Sequence, residues 1–406
     1  MAERRVAVTG IGMMCALGTN REDVWTAMVE GRCGIGELSL FDPEGYRSRL
    51  VAEIPNYHPE RHFTPLERRR RSRSDQVALL AAEEALEDSG VLDDELDRYR
   101  VGVFFGSGTG DMLRHEEYFA DLVTRGIAHA KPSDVFNHFT STPADAVAER
   151  FDLQGMKACL LSACSSTTTA IGYAGDTILE GRHDVVLCGG ADVLCRLTMS
   201  GFNALRLVAP EPCRPFDVDR NGLNLGEAGA MLVLEELERA RRRGATIYAE
   251  LAGYGLACEA YHPTAPDPTG DAFAAMLERA LEAARVDRDD VDHINSHGTA
   301  TIQNDRAEAV GIHRVFGERA RTIPVNAIKS MVGHCLGAAG AIEAAVLALT
   351  ISRGTVPPTV HHDQTDPDCA LDVVAKEARE AKVECGVSIS IAFGGNDAAL
   401  VMRRVE

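Results

Sequence analysis

The sequence contains no C-x-x-C pair, and its eleven cysteines are odd in number. This excludes a closed disulfide framework and a ribbon-type zinc site, and it fits a chain kept in a reducing cytoplasm. It has no excess of positive charge: 42 Lys and Arg stand against 61 Asp and Glu, a net −19. A field of that sign repels polyanions, so neither a nucleic acid nor an anionic membrane is expected as a partner of the whole molecule. Long apolar runs are also missing. The longest, AIEAAVLALTI, is too short to cross a bilayer, and the N-terminal apolar stretch is broken by glycines and leads into a strand, so no signal peptide or membrane anchor is expected. No serine has glycine at both flanking positions, so the G-x-S-x-G elbow of serine hydrolases is absent.

What the sequence does hold is alternation. Short β-type runs (RVAVTGIG, VGVFFGSG, DVVLCGGAD) are separated by helical stretches such as SDQVALLAAEEALEDSG, the pattern of buried strands in α/β layers. The second half repeats the theme with AELAGYGLAC, a helix over GDAFAAMLERALEAARV, the strands VDHINSHG, TIPVNAI and VSISIAFGG, and a helix over GAAGAIEAAVLALTISRG. Two ends rhyme: Gly10–Cys15 with Gly253–Cys258, and Gly189–Asp192 with Gly394–Asp397. No low-complexity linker separates the halves, so we expect a diverged duplication sharing one core, divided into residues 1–246 and 247–406.

In LLSACSSTTTAIG, Cys164 falls between a strand-like run and a helix. A cysteine there fits inert core filling, and it equally fits a nucleophile, since the helix's unpaired N–H groups and dipole favour a thiolate. A depression of roughly two pKa units would make it mostly ionised. His297 in SHGTAT and His334 in KSMVGHCLG sit at comparable elbows, with Lys329 nearby. At such strand ends α/β folds gather ligands. A lone histidine is usually structural, but four reactive side chains at elbows point to one site.

Together SACSS, SHGTAT, IKSMVGHCLGAAGAIE, CRPFDVDRNGLNLGEAGAMLVLEE and SIAFGGND resemble the β-ketoacyl-acyl carrier protein synthases, the decarboxylating condensing enzymes of the KAS I and KAS II type, from Arg5 almost to the end of the chain. The resemblance implies the thiolase-like αβαβα sandwich built from two duplicated α/β halves, usually as a dimer. It implies that Cys164 carries an acyl chain as a thioester and that His297 and His334 donate Nε–H bonds to the enolate left when a malonyl thioester on an acyl carrier protein loses carbon dioxide. Lys329 matches the family's lysine beside this site. Phe393 matches its gating phenylalanine, whose backbone N–H, with that of Cys164, is expected to form an oxyanion hole. Thr299 and Thr301 match the threonines along the phosphopantetheine arm, with Thr264 expected to assist, though all three also read as turn hydroxyls; Asp305, Glu308 and Glu343 match polar residues bracing the histidine and lysine loops. Met112 and Phe202 are expected to shape the acyl pocket, though a Met or Phe in such runs is more often plain core. No cofactor and no metal is implied, because the carrier protein brings the phosphopantetheine.

Departures from the family pattern fall at Thr167, Ile302, Ile391-Ala392 and Asn396-Asp397. They leave the Cys–His–His set intact, leave the acyl specificity open, and look more like a specialised polyketide, polyene or secondary-lipid synthase than a housekeeping enzyme. The arginine run Arg68, Arg69, Arg70, Arg71 and Arg73 reads as a solvated helix face or as a docking patch for an acidic carrier; a second cluster spans Arg241–Arg243. A homodimer is expected, with a heterodimer including a cysteine-less chain-length-factor-like subunit as the alternative. A non-condensing scaffold would lack the nucleophile, and a thiolase would place a second cysteine where this chain reads AFGGND.

Overall fold

Every residue of the strand β1 (Val6–Cys15) is buried, as a strand covered on both faces must be. It lies near the middle of the main sheet in a computed structural model that describes residues 4–131, 134 and 139–405. The first half runs β1, α1 (Arg73–Ser89), β2 (Val101–Gly106), α2 (Thr142–Phe151), β3 (Lys157–Leu160), α3 (Ser166–Leu179), β4 (Val185–Asp192) and β5 (Ala228–Glu236). The second runs β6 (Ala249–Cys258), α4 (Asp271–Ala284), β7 (His293–Asn295), α5 (Ile302–Phe316), β8 (Pro324–Asn326), α6 (Ala339–Arg353), the short edge strand β9 (Asp372–Val373), β10 (Cys385–Ser390) and β11 (Asn396–Arg403).

Across the sheet the order is β9-β8-β7-β10-β11-β6-β1-β5-β4-β2-β3. Apart from β9, each half therefore places its strands in the same relative order. The halves meet where β1 and β6 pair antiparallel, Val6 opposite Leu251 and Val8 opposite Ala249. Helix α1 packs on β1 and β5, and α4 on β6 and β11, while α3 and α6 lie together against strands of both halves. This is the αβαβα sandwich. In α6 every residue from Ala339 to Ile351 is buried, which explains a helix hydrophobic all round. A Cβ on Gly340 would sit 1.9 Å from Thr168 Oγ1, so glycine is what lets the two central helices touch.

Two expectations need correcting. The apolar stretch of α6 with its preceding turn, Leu336–Arg353, spans 18 residues and is long enough for a bilayer, but 89 % of it is buried inside the protein. Cys15 and Cys258 do close the equivalent strands β1 and β6. The second rhyme joins unlike places, however, because Asp192 ends β4 while Asp397 lies in β11, the counterpart of β5.

Candidate active site

Cys164 rides on the turn Ala163–Ser165 between β3 and α3. Ala163 has φ +53°, a left-handed backbone that costs a residue bearing a Cβ about 1–2 kcal/mol. The hydroxyls following the cysteine brace that strain: Ser166 Oγ donates to Ala163 O (2.6 Å) and accepts from Ser162 N–H (2.9 Å), and Ser165 Oγ donates to Ser162 O (2.9 Å). The thiol thus projects from an elbow whose geometry is over-determined.

His334 follows the turn Lys329–Val332 and Gly333, whose φ is +67°. Its N–H donates to Asn224 O (2.7 Å) and its carbonyl accepts from Gly226 N–H (2.9 Å), so the loop is stitched to the first half. His297 follows β7, where Glu308 of α5 accepts the N–H groups of His297 (2.6 Å) and Gly298 (2.9 Å). Asp305, one turn earlier, accepts from Ala300 N–H (3.0 Å) and Phe216 N–H (2.7 Å).

The hydrogen bonds fix both imidazole tautomers. Leu336 N–H donates to His334 Nδ1 (3.1 Å), which leaves the proton on Nε2, and that atom lies 3.1 Å from Cys164 Sγ. The Lys329 ammonium, which can only donate, lies 3.2 Å from His297 Nδ1, leaving His297 a proton on Nε2 as well. The two rings sit edge to face, 5.3 Å apart at 86°. Lys329 also pairs with Glu343 of α6, both of them buried.

Burial sets the charge states. It holds both imidazoles well below their usual range, with the Lys329 charge adding to the effect. It pushes Glu308 up to about 8 and Glu343 up to about 7, the latter against the pull of Lys329. It also pushes the Cys164 thiol up to about 11, against Lys329 and the Phe393 N–H. Burial thus works against the depression expected from the helix terminus, and the Cys164 thiol lies beside a neutral imidazole.

Cys164, His297 and His334 line a cavity of about 550 Å³ together with Phe202, Thr264, Thr299, Thr301 and the loop Ile391–Gly395. Thr299 and Thr301 share a hydroxyl hydrogen bond (2.9 Å). Thr264 N–H donates to His262 Nδ1 (3.1 Å). The Phe393 ring stacks on Phe202, 5.4 Å apart at 17°. Met112 is not on this cavity. It opens the helix Met112–Arg125 half-buried, and its neighbour Leu113, about 100° further round the helix, packs with the cluster containing Phe202.

Two polar residues were missed in the sequence. Asp192, at the end of β4, accepts from Ser107 Oγ (2.8 Å), Gly108 N–H (2.7 Å), Thr109 N–H (2.9 Å) and Thr109 Oγ1 (2.9 Å). It holds the β2 loop against Gly337, where an added Cβ would come within 2.7 Å of its Oδ2; the clue was a carboxylate closing an apolar strand. Asn304, on the cavity wall, donates to Asp305 Oδ1 (3.1 Å).

The arginine run divides. Arg68, Arg69 and Arg70 are exposed on the helix Pro65–Arg70, and Arg71 pairs with Glu149. Arg73 is not available for docking. It bonds the fully buried Glu227 through both Nε (3.0 Å) and Nη2, and it lies 4.6 Å over the Tyr57 ring. A buried carboxylate requires such a partner.

The β-ketoacyl synthase N-terminal domain model matches residues 3–240 and the C-terminal domain model residues 248–363. The putative polyketide beta-ketoacyl synthase 1 of Streptomyces halstedii is 40 % identical over 418 residues, covering 99 % of each chain. The 3-oxoacyl-[acyl-carrier-protein] synthase 2 of Coxiella burnetii is 36 % identical over 412 residues, covering 100 % of each. The solved structure of the ishigamide ketosynthase/chain length factor superimposes with a TM-score of 0.95 at 36 % identity over 100 % of both chains. A paired thiol and imidazole on a duplicated αβαβα scaffold, matched along almost the whole chain, place this protein in the β-ketoacyl synthase family.

Proposed function

We propose that the enzyme condenses a Cys164-bound acyl chain with a malonyl unit on an acyl carrier protein, giving a β-ketoacyl thioester in fatty-acid or type II polyketide synthesis. The observation carrying this reading is the line Cys164 Sγ, His334 Nε2, His297 and Lys329, in which both imidazoles are neutral Nε–H donors at one cavity. In the first step the thiol attacks an acyl thioester, and its proton leaves on the carrier's pantetheine sulfur. The backbone N–H of Phe393, already directed at Cys164 Sγ, stabilises the oxyanion together with that of Cys164. In the second step the malonyl carboxylate leaves as carbon dioxide. The enolate oxygen is held by His297 and His334, and its carbon attacks the Cys164 thioester. Collapse of the tetrahedral adduct releases the Cys164 thiolate, which takes up one proton.

In this reading residues 1–246 supply the nucleophile and residues 247–406 the imidazoles. Thr264, Thr299 and Thr301 line the pantetheine arm, and no resident cofactor or metal takes part. The exposed Arg68, Arg69 and Arg70, with Arg71 beside them, form the carrier-docking face. Eleven unpaired cysteines support a cytoplasmic setting.

A dimer, either with itself or with a chain-length-factor-like subunit, is favoured by the outer side of β3 at the end of the sheet, which pairs with no strand among the described residues. The residues flanking that strand, Met156 and Leu161, are 48 % and 57 % exposed, and an open, apolar strand edge invites a partner.

Intact-protein mass spectrometry after mixing the enzyme with a panel of acyl-carrier thioesters tests the reading, with Cys164→Ala as control. An acyl adduct lost in the variant is expected. Absence of an adduct from every donor, with and without a co-expressed partner subunit, overturns it.

A further inference from the structure

The loop Ile391–Gly395 brings Phe393 to Cys164, and three hydrogen bonds seat it. Gly394 N–H donates to Pro263 O (2.9 Å), Glu259 N–H donates to Gly395 O (2.9 Å), and Asn396 Nδ2 donates to Phe393 O (3.2 Å). The fit is tight: Gly395 has φ +71°, and a Cβ there would stand 2.8 Å from Glu259 Cβ. Two residues on, at the start of β11, Asp397 is 2 % exposed; the Ala392 N–H of the loop is directed at its carboxyl, short of full hydrogen-bond geometry, and the repulsion from Glu259 outweighs that pull. The titratable groups facing it are Glu259 and Asp267 from the segment after β6 and Glu308 from α5, all acidic. A buried carboxylate in such company costs several kcal/mol, so the group rests uncharged. Burial, and then Glu259, hold it up to about 8.

We propose that Asp397 is a positioning residue whose own proton latches the gate loop. Uncharged, it lets the loop stay bonded to Glu259 and Pro263, with Phe393 at Cys164. Once it loses its proton to solvent in mild alkali, repulsion from Glu259 drives the two segments apart and opens the cavity. The loop's role as a gate rests on the condensing reading above; the position of Asp397 behind it does not.

The test is alkylation of Cys164 by iodoacetamide in the intact protein, read as the mass of the Cys164 peptide from about pH 6 to about pH 9, for the wild type, Asp397→Asn and Glu259→Gln. The titration of the thiol itself is common to all three, so the ratio of wild-type to Asp397→Asn rates isolates the latch. It should stay near one at the acid end and rise roughly tenfold at the alkaline end, the effect of about one pKa unit of coupling. Glu259→Gln removes the repelling charge and should flatten the alkaline rise however well Asp397→Asn folds. A ratio that stays constant with pH, or an alkaline rise unaltered in Glu259→Gln, overturns the proposal. Alkylation requires no acyl donor, so failure of the latch is separable from failure of the condensing reading.

Discussion

Thr167 and Gly337 are joined across the two halves of the protein. Thr167 Oγ1 donates to Gly337 O (2.7 Å) while accepting from Ala341 N–H (2.8 Å). Both contacts are buried at the point where α3 leaves Cys164 and α6 leaves the His334 loop, so one hydroxyl fixes the spacing between the thiol and the imidazole. Thr167→Val keeps the shape but leaves two buried backbone groups without a partner. Urea unfolding at fixed protein concentration should show a loss of about 2 kcal/mol. Unfolding coincident with wild type would mean that the two helices are held by packing alone.

His297 and His334 are held neutral in the folded protein at pH values where the unfolded chain protonates. Below about 6.5 the unfolded state therefore binds protons that the folded state does not, and stability is lost as pH falls, by up to about 1.4 kcal/mol per pH unit for each histidine. His334→Asn removes one such site. Its stability relative to wild type should improve by about that slope between about pH 6 and pH 5. A gap that does not move would show that His334 protonates as readily folded as unfolded. Because the donors stay neutral, malonyl decarboxylation should also hold its rate from about pH 7.5 down to about pH 6.

The raised Cys164 thiol makes a kinetic prediction opposite to that of a pre-ionised cysteine. Its alkylation should climb at least about tenfold per pH unit from neutrality to about pH 9, with no plateau near pH 7. A plateau there would restore the helix-terminus thiolate.

The sequence exposes this site because its reactive side chains and its special backbone geometry fall on neighbouring residues. Cys164, His297 and His334 stand at strand ends marked by serine clusters and glycines, and Gly333 has φ +67°, which a linear motif can carry. Strands with continuous apolar runs, such as β1 and β4, are legible for the same reason. Helices α2 and α5 are harder to read because each buries only one face against its neighbours, so no uninterrupted apolar run marks them. What escapes the sequence is whatever depends on distant partners. Asp192 acquires its meaning only when the β2 loop folds over it. The thiol's charge state depends on burial by chain far from it. Arg73 reads as one of a surface run until Glu227, 154 residues away, claims it. The repeated Gly-Gly motif misleads because two short strings of like composition lie on unlike strands.

That last division of labour within the arginine run makes the final prediction. Arg73→Ala strands Glu227, whose side chain is fully buried, and should cost about 3–5 kcal/mol of stability. Arg69→Ala, on the exposed helix before it, should leave stability within about 0.5 kcal/mol. For a carrier protein docking on that helix, Arg69→Ala should raise KM several-fold with kcat little changed, and the difference should shrink as salt rises, because only the rim charge is screened. Chemical unfolding alongside steady-state kinetics at low and high salt separates the two. A KM for the carrier that Arg68→Ala and Arg69→Ala both leave unmoved at low salt would place the docking face elsewhere on the molecule.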